Sequence, residues 1–392
     1  MAETLNNNGS TTLSGLKLSN AQRDLIEKNP SIKRMVYRVY RKTRSRESVR
    51  TYIDYLQIFF RWLGKSPEEA LQQVKDFKNV ANDFIDYLSM ERKWAPGTVK
   101  LARSALKKWL DVDDVVVEWK KVEPPKVWRV ERDRLPRKEE IRELLATADL
   151  ASRTMVLILV SSGLRIGTLV ELRMKDVKME YSCPLITVRP EAAKMRQGYV
   201  TFMSHEAKAS LQAYIKEREL HGEKITGESY VITKERPLGE PITTKAVIDR
   251  WHKLLNVGGM AVKNRKWYDL RVHVLRKYFK SWATLSGVPG DLVESFLGHR
   301  TGIKQVYFIP GIEDTSNSDV MEKIMAEYEK ALPALTIFSE EEKVKVLEGK
   351  IEEQKRILEA ERGRFEEEKS ALAGRLRLLE EAVADLKKLA NM

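Results

Sequence analysis

The sequence predicts a mainly α-helical protein with a small antiparallel β-sheet, built from two folded segments and a long C-terminal helix. Apolar residues recur at helical spacing through most of the first 338 positions. Two short β-branched and aromatic runs, Leu185–Arg189 and Tyr199–Met203, flank a polar turn and predict a hairpin. Apolar residues near heptad spacing run from Leu347 to Leu386.

A hydrophobic fraction of 42% with 8 Trp and 13 Tyr is enough for real cores and excludes global disorder. The net charge is +13, yet the segment from Ser339 onward holds 14 acidic and 12 basic residues, so the positive excess lies wholly upstream. A basic body of that size suits a polyanion, with nucleic acid the first candidate. Cys183 is the only cysteine, which excludes a disulfide framework and a cysteine-rich zinc site. Residues 1–20 are polar and lack the apolar core of a signal peptide, and no run is long enough to span a membrane. The expectation is a disordered tail on a soluble protein acting in the cytoplasm.

Residues 21–121 read as a helical bundle. Tyr52, Tyr55, Leu56, Phe59, Phe60 and Leu63 mark one helix, and Val80, Phe84, Tyr87 and Leu88 a second. A third is expected from about Thr98, after the Ala95-Pro96-Gly97 turn, through Leu101, Ala105 and Leu106 to Trp109. Basic residues crowd this segment, with Arg38, Arg41, Lys42, Arg44, Arg46 and Arg50 in one group and Lys100, Arg103, Lys107 and Lys108 in another. Single charges are usually solvated, but two basic faces in one bundle favour phosphate contacts. Residues 122–134 form a charged linker in which Pro124-Pro125 cannot continue a helix.

Residues 135–338 mix helix and strand. Helices are expected over Arg137–Thr147, Ser152–Ser161, Glu206–Arg218, Lys245–Leu255, Val274–Ser286, Pro289–Leu297 and Val320–Ala331, with the hairpin after the second. Ser152–Ser161 is almost wholly apolar and should be buried. In residues 339–392, Leu347, Ile351, Leu358, Phe365, Leu372, Leu379 and Leu386 suggest one long helix. Gln354, Glu361 and Glu368 stand where a strong zipper would be apolar, so a weak coiled coil and a solvated single helix are both open.

The chemistry-bearing residues are spread along the second segment: Arg165 after Gly163, Lys194 on the hairpin turn, His273 and Arg276, then Leu297-Gly298-His299 and Tyr307. Cutting a phosphodiester without a metal needs positive charge and directed donors on the nonbridging oxygens. Arginine serves best because its planar fork can hold two oxygens at once. It also needs an in-line nucleophile and a proton for the leaving oxygen. A tyrosine can attack and retain the bond energy as a phosphotyrosine. Taken alone, Lys194 competes with Arg196, and Tyr307 competes with Tyr278 and Tyr328. No Gly-rich phosphate loop or acidic cluster is present, so neither a metal nor a nucleotide cofactor is implied.

The run Gly163-Leu164-Arg165 to Val177 resembles the first arginine box of the tyrosine recombinases, the integrase family. His273-Val274-Leu275-Arg276 resembles that family's His-x-x-Arg box, and Leu297-Gly298-His299 with Tyr307 its last box. Lys194 to Phe202 resembles the hairpin that carries the family's lysine, and all four boxes stand in the family's order. The resemblance covers residues 135–338, and the helical segment suits the family's core-binding domain more loosely. It implies that Arg165 and Arg276 clamp a scissile phosphate, with His299 donating a further hydrogen bond. Lys194 would protonate the 5′ oxygen, His273 would assist proton transfer, and Tyr307 would form a 3′-phosphotyrosine link.

The implied protein is a site-specific recombinase of a mobile element, acting on double-stranded DNA as a tetramer. A type IB topoisomerase and a non-catalytic architectural DNA-binding protein are the alternatives. Two departures stand out. Thr168 occupies a position where the family usually has an acid, so something else must hold that geometry. The interval from His299 to Tyr307 is also slightly short for the family.

Overall fold

The computed structural model describes residues 18–126, 133–194, 196–237, 239–264, 267–299 and 318–338, and residues 356, 362, 365, 369 and 372–376 of the C-terminal segment. The chain divides into two compact units, Met1–Val130 and Glu131–Met392.

Among its described residues the first unit carries helices and no strand: α1 Asn20–Lys28, α2 Pro30–Thr43, α3 Arg46–Leu63, α4 Pro67–Gln73, α5 Phe77–Asp86 and α6 Pro96–Leu110. Each start carries a local signal. Ser19 and Gln22 form a capping box on α1, Ser45 and Asp76 cap α3 and α5, and Pro96 opens α6. Helix α6 therefore begins two residues before the Thr98 expected from sequence, because proline at the first helical position already has helical φ. Phe59, Phe60, Phe84 and Trp109 meet edge to face or tilted at the centre, and the Trp109 indole donates to Ser31 Oγ at 3.1 Å.

The second unit holds the mixed segment: α7 Lys138–Ala146, α8 Leu150–Ser162, α9 Ile166–Leu169, α10 His205–Leu220, α11 Thr244–Val257, α12 Val274–Leu285, α13 Gly290–Phe296, α14 Ser318–Glu329 and α15 Leu332–Leu335. Strands β1 Val177–Lys178, β2 Leu185–Val188 and β3 Tyr199–Phe202 form one antiparallel sheet in that order. In the expected hairpin, Leu185 faces Phe202 and Val188 faces Tyr199. A separate ribbon pairs β4 Lys263–Asn264 with β5 Trp267–Tyr268.

Helix α8 is the axis of this unit. Its residues from Thr154 to Ser162 are all buried, and α10, α12 and β3 pack on it. Tyr328 of α14 is 1% exposed, and its hydroxyl donates to the Ser161 carbonyl at 2.8 Å. Asp133 and Arg134, read from sequence as linker, are bonded into this unit. Asp133 receives Arg271 Nε at 2.7 Å and Lys277 Nζ at 2.6 Å, and Arg134 bridges Glu140 and Asp269.

The described residues of the C-terminal segment are helical, with Phe365, Leu372 and Leu376 exposed. The rest of that predicted helix, the expected N-terminal tail before Leu18 and Tyr307 lie outside the described residues. Among the described residues no helix is long and apolar enough to cross a membrane, and no cluster of His, Cys, Asp and Glu could hold a metal ion.

Candidate active site

Helix α8 ends at Gly163, whose φ of +63° is the left-handed turn that favours glycine. A Cβ there would collide with the Phe279 ring and lie 2.9 Å from Leu297, so the turn sits hard against α12 and the end of α13. The chain then turns out through Leu164, and Arg165 takes the position before α9.

Arg276 lies in the first turn of α12 and is only 6% exposed. Its Nη1 donates to the Gly163 carbonyl at 2.5 Å, and its Nη2 donates to the Leu297 carbonyl and lies 3.1 Å from His299 Nε2. Arg165 Nη1 reaches the same Leu297 carbonyl at 3.3 Å. Three pieces far apart in sequence therefore converge on one backbone oxygen. Burial first, and then the neighbouring Arg165 charge, push the Arg276 pKa down to about 10, so it remains a cation at neutral pH. Two cations beside one carbonyl, one of them buried, make a centre with an excess of positive charge.

His299 is fixed from both sides. Its Nδ1 lies 2.5 Å from Glu294 Oε2, and Lys280 Nζ holds the other carboxylate oxygen at 2.5 Å. Burial alone would raise the Glu294 pKa, but hydrogen bonds from Lys280 and His299 outweigh it and keep the carboxyl low. The network assigns the proton to Nδ1, donating to Glu294, and leaves Nε2 to accept from Arg276. This differs from the expected phosphate donor: in this arrangement Nε2 faces a guanidinium that has only protons to offer.

His273 precedes α12 and shares a helical face with Arg276 three residues on. It is open to solvent at the rim. The protein mass around its ring, then the charges of Arg276 and Lys277, hold its pKa below the usual histidine range. It is therefore neutral at physiological pH and able to accept a proton.

Lys194 is exposed on the connection between β2 and β3. Arg196, its competitor on the turn, adopts φ +55° and donates to the Glu191 carbonyl at 2.9 Å. Thr168 supplies the local anchor that the missing acid left unexplained. Its buried hydroxyl donates to the Ala192 carbonyl at 3.2 Å, tying α9 to the lysine-bearing connection two residues before Lys194.

The competitors of Tyr307 are core residues. Tyr278 is fully buried, donates to the Ala334 carbonyl at 3.1 Å and has its pKa pushed up to about 12 by burial. Burial also raises the Tyr328 hydroxyl well above the usual tyrosine range. Neither is placed to act as a nucleophile. Tyr307 itself lies outside the described residues.

In the first unit Arg44, Arg46 and Arg50 are exposed around the junction of α2 and α3, and Lys100 is exposed on α6. Lys107 is half-buried, its ammonium 6.0 Å from the Trp119 ring centre. Arg103 departs from the expected solvent-facing role. Its Nε donates to the Val122 carbonyl at 2.7 Å and its Nη2 to the Trp119 carbonyl at 2.5 Å, and its guanidinium stacks over Trp119. It fastens the chain that leaves α6 and has fewer donors left for a phosphate. Arg38, bonded to the Asp111 carbonyl at 3.1 Å, is similarly committed.

Residues 135–306 match the sequence profile of the phage integrase family. Over that stretch the chain is similar to that family. Over 262 residues it is 24% identical to the tyrosine recombinase XerA of Pyrococcus horikoshii, covering 65% of this chain and 80% of the relative. The fold is similar to that of solved structures, among them the following. The XerH site-specific recombinase bound to difH substrate has TM-score 0.51 and 17% identity, covering 74% of this chain and 85% of that one. The Tn1549 transposon integrase with transposon right end DNA has TM-score 0.52 and 16% identity, covering 74% and 98%. A λ integrase dimer on a COC′ core site has TM-score 0.52 and 15% identity, covering 69% and 94%.

Glu294 holds His299, Thr168 holds the Ala192 carbonyl and Asp133 holds Arg271 and Lys277, and the sequence assigned none of these contacts. Glu294 had a legible signal, a carboxylate about one helical turn before the Gly-His pair. Thr168 was visible only as the absence of an acid.

Proposed function

We propose that the protein is a site-specific DNA recombinase that cuts and rejoins double-stranded DNA through a 3′-phosphotyrosine intermediate, integrating or excising a mobile element. The observation that carries this reading is the meeting of Arg165 and Arg276 at the Leu297 carbonyl, with His299 bonded to Arg276. Paired guanidinium groups with imidazoles nearby suit a phosphodiester whose phosphorus becomes five-coordinate.

In this mechanism the scissile phosphate lies between Arg165 and Arg276. The Tyr307 oxygen attacks phosphorus as its proton passes to His273. The new O–P bond forms while the bond to the 5′ oxygen breaks, and Lys194 protonates that leaving oxygen. His299, held by Glu294, orients Arg276 beside the phosphate. Attack by a free 5′ hydroxyl reverses these steps and reseals a strand. The basic first unit, with Arg44, Arg46, Arg50, Lys100 and Lys107, supplies backbone contacts, Arg103 holds the exit of α6, and strand exchange takes a tetramer on two sites.

The test is covalent capture from a pool of nicked suicide duplexes randomised in sequence, with the linked peptide mapped by mass spectrometry. Linkage is expected at Tyr307 and should persist in EDTA. Linkage elsewhere, or loss of capture in EDTA, would overturn the reading. Relaxation of supercoiled DNA lacking any captured sequence would favour a type IB topoisomerase instead.

A further inference from the structure

Strand β3 carries more than the frame of the lysine hairpin. Side chains alternate along a strand, so Tyr199 and Thr201 share one face. Thr201 uses that face to donate to the Ser162 carbonyl at 2.9 Å, one residue before the Gly163 that receives Arg276. Tyr199 on the same face is directed to the same centre. Its ring lies beneath the turn at Gly298, where φ is +61° and a Cβ would come within 2.5 Å of the ring. Its hydroxyl lies close enough to the Arg276 guanidinium to favour the charged form of that arginine.

Tyr199 is 6% exposed, and among the described residues its hydroxyl oxygen is buried without a hydrogen-bond partner of acceptable geometry. Removing an unsatisfied buried hydroxyl normally stabilises a fold or leaves it unchanged. Here the hydroxyl stands beside a guanidinium cluster that already has an excess of donors. A guanidinium cannot accept its proton, and what the hydroxyl lacks among the described residues is an acceptor. An anionic oxygen held by Arg165 and Arg276 would supply one.

We propose that Tyr199 is a further phosphate-contacting residue of the recombinase site, its hydroxyl donating to a nonbridging oxygen of the scissile phosphate. The proposal rests on the recombinase reading. It also gives β3 a double duty, since the strand that follows the Lys194 turn would bring its own first residue under the same phosphate. The seat of the ring explains why Gly298 precedes His299: any side chain there would push the phenol out of line.

The experiment compares the full-length wild type with Tyr199→Phe, which keeps the ring and removes only the hydroxyl. Single-turnover covalent capture is measured on a duplex selected by the wild type, alongside duplex affinity and thermal unfolding. The expected result is an unchanged or raised Tm, duplex affinity within about twofold, and capture slowed about tenfold or more, the scale of one charge-assisted hydrogen bond. On a duplex with a methylphosphonate at the scissile position, one stereoisomer should show little further loss from Tyr199→Phe, since the acceptor oxygen is gone. Capture at the wild-type rate, a penalty undiminished on both methylphosphonate isomers, or a lowered Tm would each overturn the proposal. If the wild type captures no duplex at all, the recombinase reading itself fails, and that result is distinct from the others.

Discussion

Arg276 is where stability and chemistry are hardest to separate. Its fork closes two backbone carbonyls, Gly163 and Leu297, that would otherwise be buried beside a charge. Arg276→Lys keeps the charge but cannot reach both. It should cost about 2 kcal/mol of stability, seen as a lower Tm, and abolish covalent capture. His273 gives a pH test. Because its pKa lies below the usual 6.5, protonation removes the base only as pH falls below that value. The acid limb of the single-turnover rate should therefore lie under pH 6.5 and vanish in His273→Ala, at a lower overall rate. A wild-type limb at or above 6.5 would exclude this assignment. Cys183, with a thiol raised to about 12 mainly by burial, should resist alkylation in the folded protein.

At the level of elements, two turns and one tether do the assembling. Gly163 and Gly298 bring α8, α12 and α13 to one point, and Thr168 ties the lysine-bearing connection to α9. Gly298→Ala must adopt a left-handed φ and displace the Tyr199 ring, so it should cost about 2 kcal/mol or more by chemical denaturation. Thr168→Val removes the bond to Ala192 while keeping shape. It should lose about 1 kcal/mol and, if the proposed role of Lys194 holds, slow capture more than it weakens duplex binding.

The long helices were legible because burial imposes a 3.6-residue period, and α8, α10, α11 and α12 fall within a residue or two of their expected spans. Strands β1, β4 and β5 were not, since two residues carry no period. Helix α2 was read mainly as a run of charge: Arg38, Arg41 and Lys42 stand out in the sequence more than the buried Ile32, Met35, Val36 and Val39. The four site boxes could be ordered from sequence. Which arginine donors were already committed could not, because the Gly163 and Leu297 carbonyls are set by tertiary packing, and Arg103 was misjudged for the same reason.

For the whole molecule, the anchorage at residues 336–338 sets where the C-terminal segment begins. Glu206 accepts from the Ile337 and Phe338 amides at 2.8 and 3.1 Å, Arg142 holds the Ile337 carbonyl, and Arg153 lies over the Phe338 ring. A chain ending at Phe338 should keep the wild-type Tm of this unit. One ending at Ala334 should lose several degrees, since the Ile337 and Phe338 amide bonds to Glu206 and the Phe338 ring beneath Arg153 go with it. Sedimentation of the first truncation against the full chain would read whether the exposed Phe365, Leu372 and Leu376 join copies.

The single carbonyl shared by two guanidinium groups has a further result for anyone handling the protein. A centre with that much unbalanced charge should attract small tetrahedral oxyanions without any DNA. Sulfate or phosphate should raise the Tm above that in chloride at equal ionic strength, and Arg165→Ala should abolish the difference. Orthovanadate, which accepts a fifth ligand, should compete with the duplex more strongly than either. The choice of buffer then becomes an experimental variable, and a ligand of a few atoms becomes a probe for the clamp before any target sequence is known.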